Sequence, residues 1–167
     1  AVGLLLSLLF FSVFAGFFFT VSISAQFGLG YSAFRTGMLA LPFAIGAAVG
    51  SLASPRVVAR VTAPHTLMAG SVAVGAGFVW LAMIIEPAAE TLPVPGILGP
   101  LVLGGLGTGV FIAPLQAVIL SDTTEATVGT ATGTIPTVQQ IGASIGLAVV
   151  TLFFFGQVAG RTSETVR

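Results

Sequence analysis

Cysteine and lysine are both missing from this sequence, histidine occurs once, and charged side chains make up only 6% of its 167 residues. Without cysteine there are no disulfides, no thiol catalysis and no thiolate metal sites. Without lysine, and with a formal net charge of zero, there is no basic face for a nucleic acid. Soluble domains carry about 25% charged residues. A surface this poor in charge belongs in a bilayer. The single His65 and the scattered acidic residues form no cluster at metal-ligand spacing, and no serine-based triad is present. No metal, cofactor or catalytic residue is expected, and the chain does not read as an enzyme.

What is present is apolar surface, 56% of the residues. A helix needs about 20 mostly apolar residues to cross the hydrocarbon core. Five segments qualify: 2–27, 37–55, 66–85, 96–120 and 127–155. The gaps between them hold Arg35, then Arg56, Arg60 and His65, then Glu86 and Glu90, then Asp122 and Glu125, with Arg161, Glu164 and Arg167 in the tail. Charge outside the spans is what desolvation demands. Barrel strands would alternate polar and apolar positions over about ten residues, and these runs do not. The expected fold is therefore an all-α integral membrane protein of five transmembrane helices. Short loops would make sequence neighbours antiparallel. Basic residues favour the cytoplasm, but Arg35 with the two arginines of the tail balances Arg56, Arg60 and His65, so the count does not decide. With the tail set aside, the second gap is the better cytoplasmic candidate. Ala1 already lies inside an apolar run with no basic segment before it, which fits a span and not a signal peptide. The expectation is a piece of a longer protein, with a small processed membrane protein as the alternative.

The spans are not uniform. On the fifth, Gly129, Gly133, Thr137, Gln140, Ser144, Ala148 and Thr151 recur at spacing three or four and share one side of a helix. Ile135, Val138, Ile145, Val149 and Leu152 form the neighbouring stripe, suited to lipid or apolar packing. The first span repeats the design with Ser12, Gly16, Thr20 and Ser24, ending near Gln26. The second has Gly46, Gly50 and Ser54. The fourth aligns Gly105, Gly109, Ala113 and Gln116. Small residues at this spacing let helix backbones approach closely. The amides are different, because an unpaired amide in hydrocarbon costs several kcal/mol. Gln116 and Gln140, with Thr137, Ser144 and Gln26, either line a water-filled cavity or hydrogen-bond a neighbouring helix. Gln139 points about 100° away from Gln140 on a helical wheel and fits a helix–helix contact. Pro42, Pro114 and Pro136 each withhold an N–H from a carbonyl one turn back. They read as packing kinks or as hinges.

Three motifs in order carry a family resemblance. "AQFGLGYSAFRTGMLALPFAIG" presents Gln26, Gly30, Tyr31, Gly37 and Pro42. "LGGLGTGVFIAPLQAVI" is a glycine-rich helix with Gly105 and Gly109. "VGTATGTIPTVQQIGASIGLAV" presents Gly129, Gly133, Gln140, Gly142 and Gly146. Together they resemble the C-terminal half of a major facilitator superfamily transporter, of the fourteen-helix drug:proton antiporter branch. The resemblance implies that these helices form most of one six-helix bundle, and that the sixth helix and the N-terminal half lie outside this sequence. It implies cytoplasmic loops after the second and fourth spans, with Arg56, Arg60, Asp122 and Glu125 on that face and able to approach one another. It implies alternating access of a midplane site, a bacterial cytoplasmic membrane, and as partners the lipid bilayer, the N-terminal half and a small-molecule substrate. Proton coupling in that branch needs an intramembrane acidic residue, which would have to come from the N-terminal half. The sequence departs from the family pattern in two places. In the second gap Thr62 or Ala63 replaces a turn glycine and His65 a basic position, and Gln139 stands where an arginine is common.

Three functions are compatible with these features. The first is proton-coupled efflux of drugs or small organic molecules. The second is a non-transporting interaction module or accessory subunit that docks through its small-residue faces. The third is an uptake carrier of the same superfamily.

Overall fold

A computed structural model describes residues 2–28, 30–85, 94–121 and 128–164. Glu86, Glu90, Asp122, Glu125 and Arg167 lie outside the described residues. The order of elements is α1 (Val2–Ile23), a π-helical turn (Ser24–Gly28), α2 (Ala33–Met38), α3 (Ala40–Arg60), α4 (Ala63–Ile85), α5 (Val94–Ser121) and α6 (Val128–Glu164). This is an all-α membrane protein, with five helical stretches among the described residues long and apolar enough to cross a bilayer.

The helices differ from the sequence expectation at their ends, for physical reasons. The first span finishes in the π turn and not in a regular α end, and Gly30 follows at φ +64°, a backbone state that suits glycine. The second begins earlier and is interrupted at Leu39, between α2 and α3. Pro42, one turn later, has no N–H for the Met38 carbonyl and its ring crowds that carbonyl. The break is where the chain accommodates this, and the Leu39 N–H turns to the Thr36 carbonyl at 3.1 Å. At its other end the same span runs on to Arg60, so Arg56 and Arg60 lie in helix and not in a loop. Both are exposed. A long arginine stem can lie along apolar surface while its guanidinium reaches water, and a cation complements a helix C-terminus. Val61 then adopts an extended conformation. Thr62 opens α4, its carbonyl accepting from the Thr66 N–H at 3.1 Å. The last helix continues past 155 to Glu164.

The chain divides into two compact units. One holds the π turn and α2–α5, and α5 is its centre. Half of the most apolar window of α5 is buried (50%), against at most 22% in any other span. Its sequence explains this, because glycines occupy two of its sides. A Cβ on Gly105 would strike the Phe43 carbonyl of α3, and one on Gly109 the Ala47 carbonyl. Gly46 and Gly50 of α3 sit equally close to the Val102 and Leu106 carbonyls. On the other side, Gly107 meets the Gly70 carbonyl and Val74 of α4, and Gly77 meets Pro100 and Gly104. Contacts advance together along α3 and α5, so these run parallel. They run in opposite directions along α4 and α5, which are antiparallel. α3 and α4 barely touch each other. Close packing therefore follows the small residues rather than sequence adjacency.

The other unit pairs α1 with α6. Gly142 lies against the Leu8 carbonyl and Gly146 against the Ser12 carbonyl, while Gly16 faces Val150 and Gly146. These two helices are also parallel. Five successive crossings alternate in direction, so the first and fifth must be parallel, as must the second and fourth. Each unit obeys that parity. Ser7 of α1 is fully buried, and its hydroxyl has no hydrogen-bond partner among the described residues. Elsewhere α1 carries a ladder of phenylalanines, with Phe14 and Phe18 at 4.8 Å between ring centroids.

Candidate functional site: a polar wall on α6

Helix α6 starts in a stretch rich in threonine and glycine, residues that compete poorly for helix in water. Here the hydroxyls bond back onto their own helix. Thr134 donates to the Thr130 carbonyl at 2.8 Å, Thr137 to the Gly133 carbonyl at 3.0 Å and Ser144 to the Gln140 carbonyl at 2.9 Å. Bonding of this kind lets polar side chains sit in a membrane helix at low cost.

Two sides of α6 then serve different purposes. Gly142 and Gly146 are buried against α1. On another side, Pro136, Thr137, Gln140, Ile141, Ser144 and Ile145 line an open concavity of about 600 Å³. Thr137, Gln140 and Ser144, three of the residues singled out from the sequence, stand together on its wall. All three are exposed, as are Gly129, Gly133 and Ala148 of the same stripe. Pro136 borders the concavity and offers no N–H to the Thr132 carbonyl. The described wall carries amide and hydroxyl groups and no formal charge.

The remaining candidates lie elsewhere. Gln116 is exposed on α5 and Gln26 is exposed in the π turn, both in the other unit, and neither lines this concavity. Gln139 is half-buried. Gly105, Gly109, Gly142 and Gly146 stand at backbone-to-backbone contacts. Gly129 and Gly133 have open space where a Cβ would stand, so no described neighbour requires glycine there. Pro114 is buried inside α5, Pro42 lies in the first turn of α3, and Pro136 is exposed. Asp122 and Glu125 lie outside the described residues. His65 is exposed, its Nδ1 sharing a hydrogen bond with Thr62 Oγ1 at 2.7 Å at the start of α4. No group of three or more His, Asp or Glu that could hold a metal ion occurs among the described residues.

Sequence reasoning missed several features. Spacing puts Ile145 on a lipid or packing stripe, yet with Ile141 it supplies apolar surface to the concavity. One residue of helix turns a side chain by only about 100°, so a broad wall takes in both stripes. The α2 entry was also missed. Ser32 caps it by accepting from the Arg35 N–H at 3.3 Å, and the Arg35 guanidinium lies 4.9 Å from the centre of the Tyr31 ring. The serine preceding a helical run was the available signal.

Comparison with known proteins gives the following. No protein-family model matches the chain. No solved structure matches it. It is similar to a Streptomyces coelicolor protein named "Probable actinorhodin transporter", with 30% identity over 170 residues, 99% of this chain and 29% of that protein. It is also similar to the cephamycin export protein CmcT of Amycolatopsis lactamdurans, with 32% identity over 147 residues, 87% of the chain and 30% of the relative. The puromycin resistance protein pur8 of Streptomyces alboniger shares 30% identity over 150 residues, 89% of the chain and 30% of the relative. The chain thus spans about three-tenths of the length of the curated relatives it matches. Five bilayer-length apolar helices together with these bacterial relatives place it in a bacterial cytoplasmic membrane.

Proposed function

We propose that this chain is part of a secondary active exporter of small organic molecules, working by alternating access and driven by protons. In this reading it supplies five of the six helices of the C-terminal bundle of a major facilitator superfamily drug:proton antiporter. The N-terminal half and the sixth helix come from the rest of that protein. The observation that carries the reading is the gathering of Thr137, Gln140 and Ser144 on one wall of the α6 concavity. The Gln140 amide would be costly against lipid, whereas against a solvated path it binds water or substrate. One relative is named an export protein, which supports the outward direction of transport.

The glycine seams weigh against an accessory-subunit reading. Gly142 and Gly146 are already covered by α1, and Gly105 and Gly109 by α3. Those small-residue faces are therefore consumed within the chain rather than left for a partner. The coupling carboxylate falls to the N-terminal half, because the acidic residues of this chain, Glu86, Glu90, Asp122, Glu125 and Glu164, stand outside the apolar runs of its sequence. The test is flux in everted membrane vesicles carrying the protein with its native flanking sequence. Uptake of an organic probe that collapses with the pH gradient is the expected result. Uptake that proceeds only down the probe's own gradient would leave a facilitator and remove the antiporter.

A further inference from the structure

Thr137, Gln140 and Ser144 climb one wall of the concavity over seven residues of helix, about 10 Å at the usual rise per residue. The two hydroxyl hydrogens on that wall are committed. Thr137 donates to the Gly133 carbonyl at 3.0 Å and Ser144 to the Gln140 carbonyl at 2.9 Å. What each hydroxyl still offers is lone pairs. The Gln140 carboxamide between them can accept and donate. Pro136, Ile141 and Ile145 supply apolar surface, and no ionisable side chain is among the described lining residues.

We infer that this wall selects apolar molecules bearing hydrogen-bond donors, hydroxyl or N–H groups, separated by about two turns of helix. The inference rests on the proposed transport function, since it takes the concavity to face substrate. A ligand donor meets a free lone pair at Thr137 or Ser144 and adds a bond. A ligand acceptor can bond there only by drawing the hydroxyl hydrogen off a backbone carbonyl, one bond lost for one made. Alkylating the ligand's donors therefore removes the gain and leaves lone pair facing lone pair, with no bond made. Selection is for donors and not for a sign of charge.

The probes are para,para′-biphenol, whose two hydroxyls stand about as far apart as Thr137 and Ser144, and its dimethyl ether. The reporter is Ile145→Cys in the protein with its native flanking sequence and other thiols replaced. This chain itself contributes no cysteine. The readout is the concentration of each probe that halves the rate of maleimide labelling. Biphenol is expected to protect at roughly tenfold lower concentration than the ether, about the value of one to two net hydrogen bonds. Thr137→Val and Ser144→Ala should each weaken biphenol by about fivefold, one net hydrogen bond, and leave the ether unchanged. Equal protection by the two probes, equal shifts for both in the variants, or protection by neither overturns the inference while the concavity remains accessible. A reporter thiol that is not labelled at all overturns it together with the transport reading.

Discussion

Gly146 of α6 lies directly over the backbone carbonyl of Ser12 in α1, so close that the space for a Cβ is already taken by the oxygen. Gly142 stands in the same relation to Leu8, four residues earlier on both helices. Backbone cannot yield as a flexible side chain can. The α1–α6 contact therefore depends on glycine at these two positions in a way that it does not at Gly133.

A paired substitution tests this. Gly146→Ala must push the helices apart and is expected to lower stability by about 1–3 kcal/mol, the usual range for overpacking. Gly133→Ala enters open space and should be neutral or slightly stabilising, since alanine is the better helix former by up to about 1 kcal/mol. Thermal unfolding in detergent, compared between the two variants, reads the difference. Equal effects would mean that the contact is not the source of the cost.

Ser7 makes the opposite case. Its hydroxyl is fully buried without a partner among the described residues. Replacing an unsatisfied buried polar group with an apolar one of similar shape is neutral or stabilising. Ser7→Ala is expected to raise stability by about 1 kcal/mol or leave it unchanged. A marked loss of stability in the same unfolding assay would reveal a bond that the present fold does not contain.

Much of the packing can be read from spacing alone. Gly46, Gly50 and Ser54 fall four apart, and all three are buried on α3, where the two glycines meet α5. The polar stripe on α6 is also visible in sequence, because an unpaired amide in a membrane helix must face something other than lipid. Partner identity is less visible. Nothing local says that Gly105 and Gly109 meet α3 while Gly107 meets α4, since both sides of α5 are rich in glycine. Nor does spacing say which side of α6 is consumed by α1. Gly133 and Gly142 have the same chemistry, and only the neighbour present at one and missing at the other separates them. The helix ends were misjudged for a simpler reason. A charged arginine reads as the end of a span, whereas its long stem allows α3 to continue to Arg60.

The break at Leu39 should depend on Pro42. Pro42→Ala restores an N–H that can reach the Met38 carbonyl, so α2 and α3 are expected to merge. Hydrogen exchange of the amides around Leu39 should then slow by about tenfold, the scale of 1.4 kcal/mol of added local stability. Unchanged exchange would place the cause of the break elsewhere, for instance in Gly37.

On the cytoplasmic face, the proposed transporter would set Asp122 or Glu125 near Arg56 or Arg60. An exposed ion pair is worth about 0–1 kcal/mol, so its loss shifts a conformational balance by at most about fivefold. Asp122→Arg is expected to change transport within that range, and Arg56→Asp in the same protein to restore it. A charge reversal at Asp122 that alters neither transport nor accessibility would remove the pairing.

The most direct measurement concerns what Gln140 faces. A Gln140→Cys variant, in the protein with its native flanking sequence, is treated with a membrane-impermeant maleimide from each side in turn. Thr62→Cys, in the α3–α4 turn, serves as the exposed control. Transport by alternating access predicts that the thiol at position 140 is labelled from water, and that the favoured side changes when a pH gradient or a substrate is imposed. Labelling of the control with none at position 140 from either side would make this wall a dry helix–helix interface and contradict the account.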